Sequence, residues 1–220
     1  MMRRLLTWLA TFGVVMMFAG CAATKPQQVD YAAFKESRPR SILVLPPLNE
    51  SPDIKATYGM LSQATFPLAE SGYYVLPVAL VDETFRQNGL TTPGDIHEVS
   101  PAKLHDIFGA DAALYMKVTS YGSRYQVVSS VTTVTANAKL VDLRNGKTLW
   151  TGSATATNDS GSNASGGLIG MLVSAAISQA MNHVFDATYK VAESTSLRLL
   201  SAGQPNGILF GPRSPKYQSD

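Results

Sequence analysis

The chain has 220 residues, 45% of them hydrophobic and 15% charged, with 18 Lys plus Arg against 16 Asp plus Glu and one cysteine. That balance is typical of a folded unit rather than a disordered tail. It excludes an intrachain disulfide and the general attraction to nucleic acid that a strongly basic chain would have.

Residues 1–21 read MMRRLLTWLATFGVVMMFAGC. Arg3 and Arg4 close a short positive region, an uncharged apolar stretch runs from Leu5 to Phe18, and the small residues Ala19 and Gly20 precede Cys21. This is the layout of a secretory signal. The apolar stretch falls short of the ~20 residues a helix needs to cross a bilayer. Phe18-Ala19-Gly20-Cys21 resembles the bacterial lipobox, with Phe18 where Leu is usual. The resemblance implies that the signal is cut before Cys21, that the thiol carries a diacylglycerol and that the new amino group is acylated. The competing reading is an ordinary signal peptide beside a free cysteine, but a lone exported thiol needs some other reason to persist. One acyl chain anchors only marginally, whereas three hold essentially permanently. With no Asp after Cys21, the same resemblance implies the outer membrane. Loss of residues 1–20 removes Arg3 and Arg4 and no acid, which lowers Lys plus Arg from 18 to 16 and leaves net charge near zero. No run of Lys or Arg stands out to form a local patch.

Residues 21–40 are polar, carry Pro26 and Pro39, and read as a lipidated N-terminus and flexible tether, with Tyr31 and Phe34 expected to dock on the domain. A single domain is expected over 41–220. SILVLPP at 41–47 suits a buried strand ended by its prolines. Residues 54–71 suit a helix with Met60, Leu61, Ala64 and Leu68 on one face, a kink at Pro67 and a stop at Gly72. Residues 73–78 form the next strand and 79–88 the next helix, closed by Gly89, and LTTPGDIHEVS reads as a turn region. Ser100 and Pro101 then mark an N-cap and first helical position, opening a helix to Phe108. Beyond Ala112 the period becomes two, giving antiparallel strands at 112–121, 125–143 and 147–157. Asn145-Gly146 is a hairpin signal, and a bulge near 130–133 would reconcile Val128, Val131 and Val134. A Gly, Ser and Asn loop at 158–167 precedes a long apolar helix from Leu168 to about Tyr189 and a shorter piece to about Leu200. Residues 201–220 form an irregular tail in which Ile208, Leu209 and Phe210 should pack. The order β α β α α β β β α predicts an α+β fold, a mixed sheet with helices on one face.

The lipobox at Cys21, the strand SILVLPP, the hairpin LVDLRNGKTLW at 140–150 and GILFGPR at 207–213 are the residues in which the chain resembles a family of outer-membrane lipoproteins that includes a neisserial surface-lipoprotein antigen. The resemblance covers most of the chain after Cys21. It implies a fold similar to the N-terminal domain of TolB and to the periplasmic part of the curli-export lipoprotein CsgG. It brings no catalytic residues and no cofactor, and its implied role is assembly or export at the cell envelope.

Sharper readings compete with plain ones. Gly161 and Gly166 have the gap of a phosphate loop, but Gly167 stands where its lysine belongs, which favours a connector. Gly166, Gly170, Ser174 and Ser178 make a small-residue stripe, either a tight core contact or an interface. The alternation at 126–138 lacks the aromatic girdles of a membrane hairpin. His97, His105 and His183 are scattered, so neither a metal site nor a triad is expected. The expected function is a lipid-anchored, non-enzymatic adaptor in an envelope assembly or export complex. Its candidate contacts are the small-residue stripe and the hairpin with Trp150, and its partners are the membrane, other lipoproteins or a second copy. The alternatives are a peptidoglycan- or glycan-binding lipoprotein and, third, an unrecognised hydrolase.

Overall fold

The structure, a computed structural model, describes residues 29–125, 130–158 and 187–219. Its sheet has six strands: β1 (Ser41–Val44), β2 (Leu48–Asn49), β3 (Tyr74–Val75), β4 (Ala112–Tyr125), β5 (Ser130–Asp142) and β6 (Thr148–Thr157). The main order is β3-β1-β4-β5-β6, with β2 also beside β4. The short β1, β2 and β3 pair in parallel, while the long β4, β5 and β6 run antiparallel. The α+β class with a mixed sheet is therefore the observed one.

Helices cover both faces of the parallel part, not one face as the element order alone suggested. Helix α2 (Ala56–Glu70) and helix α6 (Ala187–Leu200) lie on the face carrying Ile42, Leu114, Met116, Val134 and Leu140. Helices α3 (Val78–Gln87), α4 (Pro93–His97) and α5 (Pro101–Phe108) cover Leu43, Leu45 and Ala113 on the other. The cause is legible in β1, where Ile42, Leu43 and Val44 are all fully buried, as a strand between two layers requires. Along β5 the alternation returns: Thr132, Val134, Ala136 and Ala138 point inward, whereas Asn137 and Lys139 are exposed.

Several local expectations change. Helix α2 runs unbroken through Pro67, which sits in its last turn, and Ser71 ties that end by bonding the Pro67 carbonyl through both its N–H (3.0 Å) and its hydroxyl (2.6 Å). The polar stretch 90–100 contains α4, opened by Thr92, whose hydroxyl accepts the Asp95 N–H at 3.2 Å, with Pro93 in the first turn. The register shifts lie at 118–120 on β4 and at 140–141 on β5 opposite β6, not at 130–133. Val131 and Val134 occupy opposite faces, so no bulge is needed between them; Val128 lies outside the described residues. In the turn after β5 only Gly146 has positive φ (+73°), so this is not the two-residue Asn-Gly turn. Gly146 N–H reaches back to Asp142 O at 2.8 Å and closes a wider loop around Arg144.

The two ends of the described chain pack together on the sheet. Residues 32–37, read from sequence as tether, form helix α1 (Ala32–Ser37). Phe34 is buried, and Tyr31 donates to Gly207 O at 2.6 Å. The tail has no regular element, yet Ile208 and Leu209 are buried and Gly211 N–H donates to Ser71 O at 2.8 Å. This accounts for the glycine in GILFGPR: a Cβ on Gly211 would lie 2.6 Å from the carbonyl oxygen of Gly72, a backbone atom that cannot swing aside. Gly211→Ala should cost about 1–3 kcal/mol through overpacking. The control Gly94→Ala, whose added Cβ meets nothing closer than 3.7 Å, should cost under about 0.5 kcal/mol. Denaturant unfolding followed by circular dichroism compares the two.

Candidate functional site

The turn at 142–147 is built around a buried charge. Asp142 has no exposed side-chain surface. Arg144 grips it with Nη2 at 2.6 Å and Nε at 3.0 Å, the Arg144 N–H donates at 2.8 Å, and the Ser37 hydroxyl donates at 2.6 Å. Arg144 also donates to Ser37 O at 2.8 Å, and Lys147 pairs with Glu36 at 3.4 Å. The network therefore fastens the end of α1 to the β5–β6 turn. Burial alone would raise the Asp142 carboxyl, but the bonds from Arg144 and Ser37 outweigh it and hold it below the ordinary carboxylate range.

Beside that clamp, α1 and the tail enclose a cavity of about 250 Å³. Phe34, Tyr73 and Leu209 form its apolar floor, Phe210 and Tyr217 flank it, and the exposed Lys35 and Arg38 stand at its mouth. The Tyr73 hydroxyl is committed to Leu209 O at 2.6 Å. Of the three non-glycine residues with positive φ among the described residues, Arg38 (47°) and Gln218 (63°) both border this cavity. A second hollow next to it is bordered by Arg40, Asp111 and Arg213.

A different surface lies on the outer side of α2. Tyr58 (55% exposed) and Phe66 (62%) lie eight residues apart along that side, and Ile54 (89%) is exposed in the turn that leads into the helix. Tyr189 and Leu197 of α6 are also exposed, and the Tyr189 hydroxyl lies 3.4 Å from Ser62 on the same side of α2. Scattered exposed apolar residues are ordinary, but an aligned set is the usual mark of a contact surface.

The structure brings few of the sequence candidates together. Cys21, Gly166, Gly170, Ser174 and Ser178 lie outside the described residues, as do the phosphate-loop glycines, His183 and the 168–186 part of the long helix. Trp150 is 3% exposed, and its indole N–H donates to Asn206 O at 2.9 Å. Its ring also lies against Gly152. Its place is inside the fold, holding the tail, rather than on the hairpin surface. His97 and His105 each bond a backbone carbonyl, Pro46 O at 2.9 Å and Ala110 O at 2.8 Å. Ser37 is engaged by Asp142 and Arg144 with no histidine in the network. Among the described residues no group of three His, Cys, Asp or Glu side chains converges as a metal site would require, and no helix is long and apolar enough to cross a membrane. The α2 surface and the cavity went unnoticed in the sequence. The spacing of Tyr58 and Phe66 was a usable signal for the first, whereas the cavity joins residues from distant parts of the chain.

With this geometry in place, the comparisons with known proteins are specific. The family model described as "Putative lipoprotein GNA1162-like" matches residues 29–213, from the first described residue to the end of GILFGPR. "Putative lipoprotein NMB1124/NMB1162" of Neisseria meningitidis serogroup B is 53% identical over 204 residues, 93% of this chain and 94% of that one. The crystal structure of lipoprotein GNA1162 from Neisseria meningitidis is 59% identical with a TM-score of 0.53, covering 66% of this chain and 99% of that one.

Two groups give the fold an acid limit. Burial pushes the His97 imidazole below its ordinary value, with Lys139 adding to the effect and the Pro46 carbonyl opposing it. The unfolded chain takes up this proton near pH 6.5, before the folded one does, so stability falls on acidification through that window. The contribution of Asp142 is full above its ordinary carboxylate value and is lost as pH falls through its depressed folded value. Thermal unfolding across pH should show both parts of this decline. His97→Gln should flatten the upper part and Asp142→Asn the lower.

Proposed function

The chain belongs to the GNA1162-like lipoprotein family, and from that membership we propose that it works as a lipid-anchored, non-enzymatic adaptor in a cell-envelope assembly. Cys21 carries the acyl chains, and the domain holds another envelope protein. The observation that supports this reading is the exposed pair Tyr58 and Phe66 on α2, with Ile54 exposed in the turn before it. Aromatic anchors on a regular element are what protein contacts use, because they offer large area at little rotamer cost. These side chains take little part in the core, so their exposure is not explained by folding. In this reading the outer membrane is the anchoring membrane, as the absence of Asp after Cys21 implies.

A second reading, a lipoprotein that binds peptidoglycan or another glycan, is favoured by the aromatic cavity of Phe34, Tyr73, Phe210 and Tyr217. Sugar sites combine aromatic faces with carboxylates, and here Lys35 and Arg38 stand where carboxylates would be expected. That difference ranks it below the adaptor.

Crosslinking of intact cells followed by purification and mass spectrometry should recover the chain joined to a second envelope protein. Tyr58→Ser with Phe66→Ser should remove that product while changing stability by less than about 1 kcal/mol. Recovery of an unpartnered monomer from the unaltered chain would count against the adaptor. Separately, Cys21→Ser should abolish acyl labelling and shift the chain out of the membrane fraction; retention there would overturn the anchor.

A further inference from the structure

The hollow of about 250 Å³ between α1 and the tail is used neither by the anchor nor by the α2 surface, and its walls are fixed in advance. Phe34, Tyr73 and Leu209, which form its floor, are all buried. The Tyr73 hydroxyl donates to Leu209 O at 2.6 Å, Gly211 N–H to Ser71 O at 2.8 Å and Arg213 N–H to Gly72 O at 3.0 Å. These bonds stitch the tail that carries Leu209, Phe210 and Tyr217 to the end of α2. On the other wall, the Arg38 N–H closes α1 on Phe34 O at 3.0 Å. Protein interiors leave few voids, so a preformed hollow over buried rings is a place for a ligand.

Volume and chemistry narrow what that ligand is. A cavity of about 150 Å³ holds a benzene molecule. This one therefore holds a single ring with a short substituent, and it is smaller than the ~300–1,000 Å³ of drug-sized sites. The floor offers the ligand no hydrogen bond, because the Phe34 and Leu209 side chains have none to make and the Tyr73 hydroxyl is committed to Leu209 O. A sugar ring, polar on every side, would leave its hydroxyls unpaired there. An apolar ring would not.

The polar end of the ligand meets Arg38 at the mouth. Among the described residues the Arg38 side chain makes one hydrogen bond, from Nε to Lys35 O at 3.2 Å, which leaves both Nη groups open. Lys35 already has a partner, so the available cation is the guanidinium. Its planar fork matches a carboxylate in shape and spacing. No acid is among the described residues that border the cavity, and Glu36 and Asp142 of the neighbouring clamp are held by Lys147 at 3.4 Å and Arg144 at 2.6 Å. Arg38 and Gln218, both in the left-handed region, stand together at this mouth, and such conformations collect at ligand clamps.

We propose that this cavity binds a small monocyclic aromatic carboxylate, with its ring among Phe34, Tyr73, Leu209 and Phe210 and its carboxylate on the Arg38 guanidinium. The site stands apart from the α2 surface and from the adaptor reading, and it competes with the glycan reading for the same cavity.

Isothermal titration of the full acylated chain in phosphatidylcholine nanodiscs, with empty nanodiscs subtracted, tests this with phenylpropionate as the probe and phenylpropanamide as its neutral twin. The acid should saturate one site per chain and bind at least about tenfold more tightly than the amide, which cannot form the charge-assisted pair. Arg38→Gln should weaken the acid by about the same factor and leave the amide unchanged. Arg40→Gln, an equal charge change in the neighbouring hollow, should leave both unchanged. Equal affinity for acid and amide on the unaltered chain would overturn the site whatever the variants do. So would equal weakening by Arg40→Gln and Arg38→Gln, or no saturable binding of the acid up to about 10 mM. Saturation by the disaccharide of N-acetylglucosamine and N-acetylmuramic acid, with none by the acid, would overturn it in favour of the glycan.

Discussion

Asp142 is a carboxylate with no exposed surface at the last position of β5, and such a charge is tolerated only if its lone pairs are filled. Arg144 and Ser37 fill them, one from the turn that follows and one from α1, more than a hundred residues earlier in the chain. Meeting that requirement brings the end of the N-terminal segment onto the sheet. Once it is there, Phe34 is buried and Tyr31 reaches Gly207, and the C-terminal tail is drawn into the same layer. The cavity and the second hollow are both consequences of this meeting of the two chain ends.

The arrangement keeps two surfaces apart. The N-terminal segment and the C-terminal tail meet on one side, where Val29 N–H is tied to Asn206 Oδ1 at 3.4 Å beside β6. The outer side of α2 lies on another part of the surface, away from the Asp142 network, and exposes Tyr58 and Phe66, which the core does not use. In the proposed adaptor reading, the contribution of the fold is to hold that contact surface in place.

Much of this was legible in the sequence where local chemistry decides the outcome. Ser100-Pro101 opened α5 and Gly109 closed it, with the glycine at φ +64°. The change to a period of two at Ala112 marked the antiparallel strands, and the apolar SILV run marked a buried strand. Thr92-Pro93 carries the same helix-opening signature as Ser100-Pro101, yet the polar residues around it masked α4. The illegible parts share a cause, which is dependence on partners far away in the chain. Nothing near Ser37 announces Asp142, nothing near Lys35 announces Lys216, and Trp150 looks like a surface aromatic until Asn206 is found across from its indole. The Asn145-Gly146 turn is the exception, since its own neighbours Asp142 and Arg144 govern the loop.

The central claim is that α2 offers its outer side to a protein partner while the opposite, polar face of the antiparallel strands does not. A photoreactive amino acid placed at position 66 on α2, and in a second strain at position 137 on β5, tests this in intact cells. The account predicts a discrete protein adduct on illumination from position 66 and none from position 137. An adduct from 137 alone, or no adduct from 66 with the chain present in the envelope, would contradict it.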